Sequence, residues 1–184
     1  MKTLHYVLIS LIGSSASFAS TVSIQKAAFT SKTNVSAVQV KGETKKPFLA
    51  TITLKGNELT ALETTLAPQE LKTGLDLRDQ HMVERVFQRE NKSVPPMVFK
   101  LAAPFILDGK ENTMSGTLSI RGQTVNFTPR CTGSVSVGES SALKIICAGT
   151  VNLTQYGIEI PSHMGVKVQP NVELTLSSEG PIQP

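Results

Sequence analysis

One short polar cluster, formed by Arg78, Asp79 and His81, is the part of this sequence best suited to binding an ionic group. A guanidinium and an imidazole both donate hydrogen bonds to phosphate or carboxylate oxygens. The alternative is a solvated helix in which these side chains make only local ion pairs. Helical spacing favours this alternative, because it places Arg78 on the outward face. Arg78 and His81 are therefore candidates for binding the ionic head group of a ligand, and the alternative is that they are solvated surface residues of a helix.

The sequence offers few residues for catalysis or for holding a metal ion. It contains no Gly-x-Ser-x-Gly nucleophile motif and no glycine-rich phosphate loop. His81 and His163 are far apart in the sequence and have no cysteine or carboxylate cluster beside them, so a metal site is not expected. We predict no catalytic residue, no cofactor and no enzymatic activity.

The two cysteines, Cys131 and Cys147, fit a disulfide across a β-hairpin. An antiparallel register that places them opposite each other also forms apolar pairs: Val125 with Leu153, Phe127 with Val151, and Val135 with Leu143. A shift by one residue would break this agreement, because it turns every side chain of a strand to the other face. We therefore predict the disulfide, with the hairpin turn around residues 138–140, and an oxidising compartment.

The N-terminal residues have the pattern of a cleavable signal peptide. A basic residue precedes an apolar run over residues 6–13, and Ser17 and Ala19 place small side chains at the −3 and −1 positions. The run is shorter than the ~20 residues that a membrane-spanning helix needs. We expect a signal peptide over residues 1–19 and a mature domain over residues 20–184 without an integral membrane segment. The expected location is the periplasm, with secretion as the second choice.

Alternating apolar residues predict antiparallel strands through most of the chain. Turn signals such as Lys55-Gly56-Asn57 separate the strands. The segment around residues 68–90 breaks the pattern and is predicted to be a short helical insertion, in which Asp76 caps a helix with an apolar stripe between Met82 and Phe87. One helix cannot cover so many strands, so we predict an all-β fold: a single antiparallel barrel of about eight strands, which leaves no open sheet edge.

The shared apolar faces of these strands would form the interior of the barrel. The interior is either packed solid or hollow, because both give the same alternation of apolar and polar residues. The predicted lining residues are Phe99, Leu101, Leu118, Ile120, Phe127, Val151 and Leu174. None of them is titratable, which favours binding over catalysis.

Five patterns follow one another along the chain. They are Thr73-Gly74, Arg78-Asp79-Gln80-His81-Met82, Pro96-Met97-Val98-Phe99-Lys100, Gly116-Thr117-Leu118-Ser119-Ile120-Arg121-Gly122 and Tyr156-Gly157-Ile158. Their order and spacing, over roughly residues 45–178, resemble the YceI-like family. This resemblance implies a lipocalin-like barrel with an elongated apolar interior. It also implies a typically periplasmic protein that carries or sequesters a polyisoprenoid or fatty-acyl amphiphile.

Two alternatives to a lipid carrier or scavenger remain. One is an isomerase or hydrolase that acts on a lipid in the same cavity, and the other is a structural module with a filled core. The net charge of +4 is small, and the basic residues are scattered along the chain. Nucleic acid is therefore not an expected partner. A homodimer is compatible with each of these functions.

Overall fold

The computed structural model describes residues 19–136, 141–163 and 165–183. All of the predicted signal peptide except Ala19, and the predicted turn at residues 138–140, lie outside the described residues. No helix among the described residues is long and apolar enough to cross a membrane.

Strands make up most of the described chain, and short helical segments interrupt them at three places. The strands are β1 (Ala19–Ile24), β2 (Lys26–Thr33), β3 (Gln39–Thr44), β4 (Phe48–Lys55), β5 (Glu58–Leu66), β6 (Leu71–Lys72), β7 (Met97–Leu101), β8 (Phe105–Ile106), β9 (Asp108–Thr113), β10 (Gly116–Ile120), β11 (Gln123–Phe127), β12 (Arg130–Ser136), β13 (Ala142–Asn152), β14 (Ser162–His163) and β15 (Val166–Pro181). The helical segments are a 3₁₀ turn (Pro68–Glu70), helix α1 (Asp76–Met82), a π turn (Val83–Phe87) and a second 3₁₀ turn (Leu153–Tyr156). The predicted all-β class and the helical insertion within residues 68–90 are confirmed.

The strands form two antiparallel sheets rather than one continuous ring. The first has seven strands in the order β1-β4-β5-β7-β10-β11, with β8 beside β5, and the second has eight in the order β6-β3-β2-β15-β13-β12-β9, with β14 beside β15. Strands that follow each other directly, β1 and β2, β9 and β10, and β11 and β12, belong to different sheets, so the chain crosses between the sheets at sharp bends. The predicted single closed barrel of about eight strands is therefore not found in the strand pairing of the described residues.

One seam between the sheets is joined by hydrogen bonds from β1 to the end of the chain. The backbones of Thr21 and Gln183 exchange two hydrogen bonds of 2.7 and 2.8 Å. The Ser178 hydroxyl, which is buried, donates to the Ser23 carbonyl at 2.7 Å. These bonds satisfy backbone groups that would otherwise be left free where β1 passes β15.

The hairpin of β12 and β13 has the predicted register, with Cys131 opposite Cys147 and Val135 opposite Leu143. The predicted pairs of Val125 with Leu153 and of Phe127 with Val151 are wrong. Strand β11 instead lies along β10, where Val125 faces Leu118 and Phe127 faces Gly116.

A proline explains why the hairpin register does not continue into β11. Pro129 has no amide hydrogen to donate to a ladder, so the chain bends there. The Met114 amide donates a hydrogen bond to the Pro129 carbonyl at 2.9 Å, which connects this bend to the crossing between β9 and β10. The strand before the proline is thereby directed to the first sheet.

Helix α1 begins one residue earlier than the predicted cap requires. Leu75 occupies the N-cap position without a side-chain cap hydrogen bond, and Asp76 is the first helical residue. The prediction that Asp76 caps the helix is therefore wrong. Asp79 is buried and accepts hydrogen bonds from the Thr73 amide at 2.7 Å and the Thr73 hydroxyl at 2.5 Å. This carboxylate holds the loop before the helix.

Two groups of buried apolar side chains lie at the two ends of the space between the sheets. The first surrounds the disulfide and includes Ile24, Ile52, Leu59, Met114, Leu143 and Ile145. The second lies beneath the helical insertion and includes Leu66, Leu71, Phe87, Ile120, Val151 and Tyr156. Phe48 and Phe99 pack against both groups, so the interior is one apolar region.

Candidate functional site

Two adjoining cavities lie between the sheets. The smaller has a volume of about 140 Å³ and the larger about 890 Å³. Phe29, Leu71, Met97 and Leu174 line both cavities, so the two meet at these side chains. The larger volume falls within the roughly 300–1,000 Å³ that is typical of small-molecule sites. The interior is therefore hollow over part of its length.

The wall of the smaller cavity is almost wholly apolar. Among the predicted lining residues it contains Phe99, Leu118, Phe127 and Leu174. No described side chain on this wall carries a charge, and Cys147 belongs to it as part of the disulfide. A space of this kind favours hydrocarbon over any polar occupant, because a polar group would lose its hydrogen bonds to water there.

Glycines behind the wall give room to the aromatic rings. The Phe99 and Phe127 rings meet edge to face with centroids 6.2 Å apart and planes at 86°. A Cβ atom on Gly149 would lie 2.7 Å from the Phe127 ring, and one on Gly116 would overlap the Phe99 ring. Each ring occupies the space that a side chain at the glycine would need. The ring therefore packs against the wall and leaves the interior open.

The larger cavity is apolar at its inner end and polar at its mouth. Its inner part includes Ile120 and Val151, which were predicted to line the interior. At the other end the lining residues Leu75 and Leu77 are 59% and 66% exposed. The cavity thus opens to solvent beside the start of α1.

Arg78 and His81 both lie on the wall of the larger cavity and are half-buried. The Arg78 Nη2 donates to the Thr73 carbonyl at 2.7 Å, and its Nε is buried without a hydrogen-bond partner in the described chain. The outward orientation that helical spacing predicted for Arg78 is therefore wrong. The two hydrogen bonds from Thr73 to Asp79 fix how α1 lies on the sheets, and this orientation turns Arg78 inward.

The electrostatics of this corner depend on Asp79. Burial is the largest single influence and raises the pKa of Asp79, but the hydrogen bonds from Thr73, with the nearby charges of Lys72 and Arg78, outweigh it and lower the pKa below its ordinary value. Asp79 is therefore a carboxylate at neutral pH. Its hydrogen bonds are directed at the loop.

The remaining sequence predictions fare differently. Leu101 lines neither cavity and packs against the residues around the disulfide. Cys131 and Cys147 are bonded, with an S–S distance of 2.05 Å. No group of three or more potential metal ligands occurs among the described residues.

Sequence reasoning missed Phe29 and Leu71, two of the four side chains at the junction of the cavities. Phe29 faces Gly42 across β2 and β3, and a Cβ atom on Gly42 would overlap its ring. An aromatic residue opposite a glycine is a detectable sequence signal once two strands are aligned. Periodicity does not predict the register of β2 with β3, because these two strands carry few apolar residues.

Comparison with known proteins gives a family match and several structural neighbours. The sequence profile of the YceI-like domain matches residues 14–179. No curated protein matches the sequence significantly. Solved structures with the same fold include BcnA from Burkholderia cenocepacia, with a TM-score of 0.66 and 15% identity over 86% of this chain and 96% of that chain. The YceI protein of Campylobacter jejuni has a TM-score of 0.63 and 19% identity over 77% of this chain and 84% of that chain.

A third neighbour is a polyisoprenoid binding domain from Saccharophagus degradans, implicated in plant cell wall breakdown. Its TM-score is 0.61, with 11% identity over 90% of this chain and 97% of that chain. At these identities the structures are alike in fold.

Proposed function

The chain belongs to the YceI-like family, and from this premise we propose that it binds a polyisoprenoid or long-chain acyl amphiphile in its joined cavities. The protein acts as a carrier or scavenger of this lipid. The observation that carries the proposal is the cavity of about 890 Å³ next to a second, almost wholly apolar one. A hydrocarbon chain placed there would gain ~0.8 kcal/mol for each buried CH₂ group.

The two sheets serve as a barrel-like enclosure in this proposal. Their seam at Thr21 and Gln183, and the bend at Pro129, keep the apolar faces opposed around the ligand. The Saccharophagus degradans domain with the same fold is itself a polyisoprenoid binding domain, which supports this class of ligand. A filled structural module is disfavoured by the open volume.

A lipid-modifying enzyme has weaker support than a binding protein. Catalysis on the chain would need a titratable group in contact with it. The smaller cavity has none on its described wall. Those of the larger cavity lie towards its mouth, where they suit a head group better than a hydrocarbon.

We further propose that residues 1–19 are removed on export and that residues 20–184 act in the periplasm. The disulfide supports an oxidising compartment. Cleavage after Ala19 would remove a single residue of β1 and leave the pairing from Ser20 with Ile52 to Ile24 with Phe48 intact. Export and folding are thus compatible.

A neutral chain probe tests the binding proposal. Leu118 is buried and lines the smaller cavity, so Leu118→Asp would place an unpaired carboxylate against the chain. Geranylgeraniol added to the delipidated wild type should raise its Tm, because a ligand that binds only the folded state stabilises it. The same probe should raise the Tm of Leu118→Asp little or not at all.

Thr117→Asp is the matched control, because Thr117 is the neighbouring residue of β10 and points away from the interior. Its response to geranylgeraniol should equal that of the wild type. A delipidated wild type that shows no Tm shift with geranylgeraniol or any other long-chain probe would contradict the proposed function.

A further inference from the structure

We propose that Arg78 binds an anionic head group, a carboxylate or a phosphate monoester, so that the natural ligand is an acidic amphiphile rather than a neutral one. This inference rests on the proposed function and specifies the ligand of the same cavity. It concerns the end of the larger cavity beside α1, where Arg78 lies between the apolar interior and the exposed mouth.

The guanidinium of Arg78 is held in place but incompletely paired. One nitrogen, Nη2, donates to the Thr73 carbonyl at 2.7 Å, whereas the buried Nε has no partner in the described part of the chain. Among the described residues, Arg78 also makes no salt bridge to a carboxylate. A buried donor of a charged group without an acceptor is costly, and an anion with several oxygens supplies what it lacks.

The acidic residue next to Arg78 in the sequence, Asp79, is already engaged elsewhere. Asp79 accepts both the amide and the hydroxyl hydrogen of Thr73. Thr73 is thus bonded to Asp79 through its donors and to Arg78 through its carbonyl. This arrangement fixes Arg78 at the cavity without neutralising it through a hydrogen bond, which is the state that a binding arginine requires.

The charges around the cavity also favour an anion. The described part of the wall carries two arginines, Arg78 and Arg85, and one carboxylate, Asp76; Arg85 and Asp76 are both exposed to solvent. The ring of His81 adds a hydrogen-bond donor to the same wall. The start of α1 also places two exposed leucines, Leu75 and Leu77, at the mouth, where they would cover the first carbons next to the head group. A neutral alcohol in the same place would satisfy at most part of the Arg78 donors.

Twelve-carbon ligands that differ only in the head group test this proposal. Dodecanoate, dodecyl phosphate and 1-dodecanol would compete with a neutral fluorescent isoprenoid for the delipidated wild type at pH 8 and low ionic strength. We expect at least one of the two anions to bind about tenfold or more tightly than the alcohol, the scale of a charge-assisted hydrogen-bonded pair. The tighter anion identifies whether the ligand is a fatty acid or a lipid phosphate.

Arg78→Met removes the guanidinium but retains an unbranched side chain. It should bind the anions no more tightly than 1-dodecanol, while its affinity for 1-dodecanol, which also reports on folding, stays within about twofold of the wild type. Arg130→Met is the control, because Arg130 is an exposed arginine of the second sheet outside both cavities, and it should keep the wild-type preference.

Equal affinity of the wild type for the anions and the alcohol would overturn the acidic-ligand proposal and leave the proposed function standing. A wild-type preference that survives in Arg78→Met, or a variant that loses the alcohol together with the anions, would overturn the role of Arg78. Failure of every chain to displace the fluorescent isoprenoid would instead count against the proposed function itself.

Discussion

Thr73, Arg78 and Asp79 form a small closed unit of hydrogen bonds at the start of the helical insertion. Arg78 donates to the Thr73 carbonyl, and Asp79 accepts from the Thr73 amide and hydroxyl. Each of these contacts joins residues five or six positions apart in the sequence. These local bonds set the direction of the arginine that we assign to the ligand.

The charge of Asp79 should make this unit sensitive to acid. Because the pKa of Asp79 is lowered in the folded protein, its ionised form stabilises the fold above the ordinary pKa of 3.8, and this contribution is lost as the pH falls through the lower, folded value. Asp79→Asn should therefore lower the Tm at pH 7, and the Tm difference from the wild type should shrink as the pH is reduced below about 3.8.

Thermal unfolding followed by circular dichroism at several pH values would measure this difference. Asp76→Asn is the matched control, because the Asp76 side chain is exposed and makes no hydrogen bond or ion pair with the described residues. A Tm difference for Asp79→Asn that is the same at pH 7 and pH 2.5 would show that the carboxylate charge has no part in stability.

Pairs of strands define the walls of the cavities at the level of elements. Phenylalanines on β7 and β11 lie over glycines on β10 and β13, so each ring packs where the wall has no side chain. The hairpin of β12 and β13 supplies the disulfide, and Cys147 itself touches the smaller cavity. The same elements therefore carry both the stability and the lining of the site.

The disulfide should contribute measurably to stability. It joins residues 16 positions apart, and closing a loop of this size stabilises a fold by about 3 kcal/mol on the chain-entropy model. Replacing both Cys131 and Cys147 by Ala should lower the free energy of unfolding in urea by about this amount. The wild type unfolded in the presence of reductant should lose a similar amount.

Protein taken from its native compartment gives an independent check on the crosslink. Alkylation under denaturing, non-reducing conditions should label neither cysteine, because both thiols are used in the bond. Complete labelling of both, or a double variant as stable as the wild type, would contradict the role given to the disulfide.

At the scale of the whole molecule, two sheets enclose one apolar interior with an opening on one side. The chain crosses between the sheets at short bends from β1 to β2, from β9 to β10 and from β11 to β12, and through the helical insertion from β6 to β7. The helical insertion contributes to the mouth of the larger cavity, where Leu75, Leu77 and Arg78 combine exposed apolar surface with a positive charge. This arrangement suits an amphiphile whose chain lies inside and whose head group stays near the surface.

The expected form of the whole chain in the cell is the processed one. The intact mass of the protein purified from a periplasmic fraction should correspond to a chain that starts at Ser20, because the residues before it have the pattern of a signal peptide. The disulfide would lower that mass by two hydrogens. A periplasmic protein that still carries Met1 would refute the proposed processing.

Much of the fold follows from short-range patterns in the sequence. Alternation in β10 places Gly116, Leu118 and Ile120 on one buried face, because successive residues of a strand point to opposite sides. Leu118 and Ile120 were predicted to face inward. The disulfide and the register of β12 with β13 follow from the same two-residue period combined with the position of two cysteines. Such features depend on residues close together in the chain or paired directly across a hairpin.

Other features depend on contacts that no periodicity encodes. Helical spacing predicts that Arg78 faces solvent, but the packing of α1 places it at the cavity. Pro129 ends the register that would have paired Phe127 with Val151. Alternation is also the same for a filled and a hollow interior, so the volume between the sheets follows from how far apart they stand and from rings that lie back over glycines. The sequence therefore predicts which residues face inward. The space among them arises from packing between strands distant along the chain, because only there do side chains of both sheets compete for the same volume.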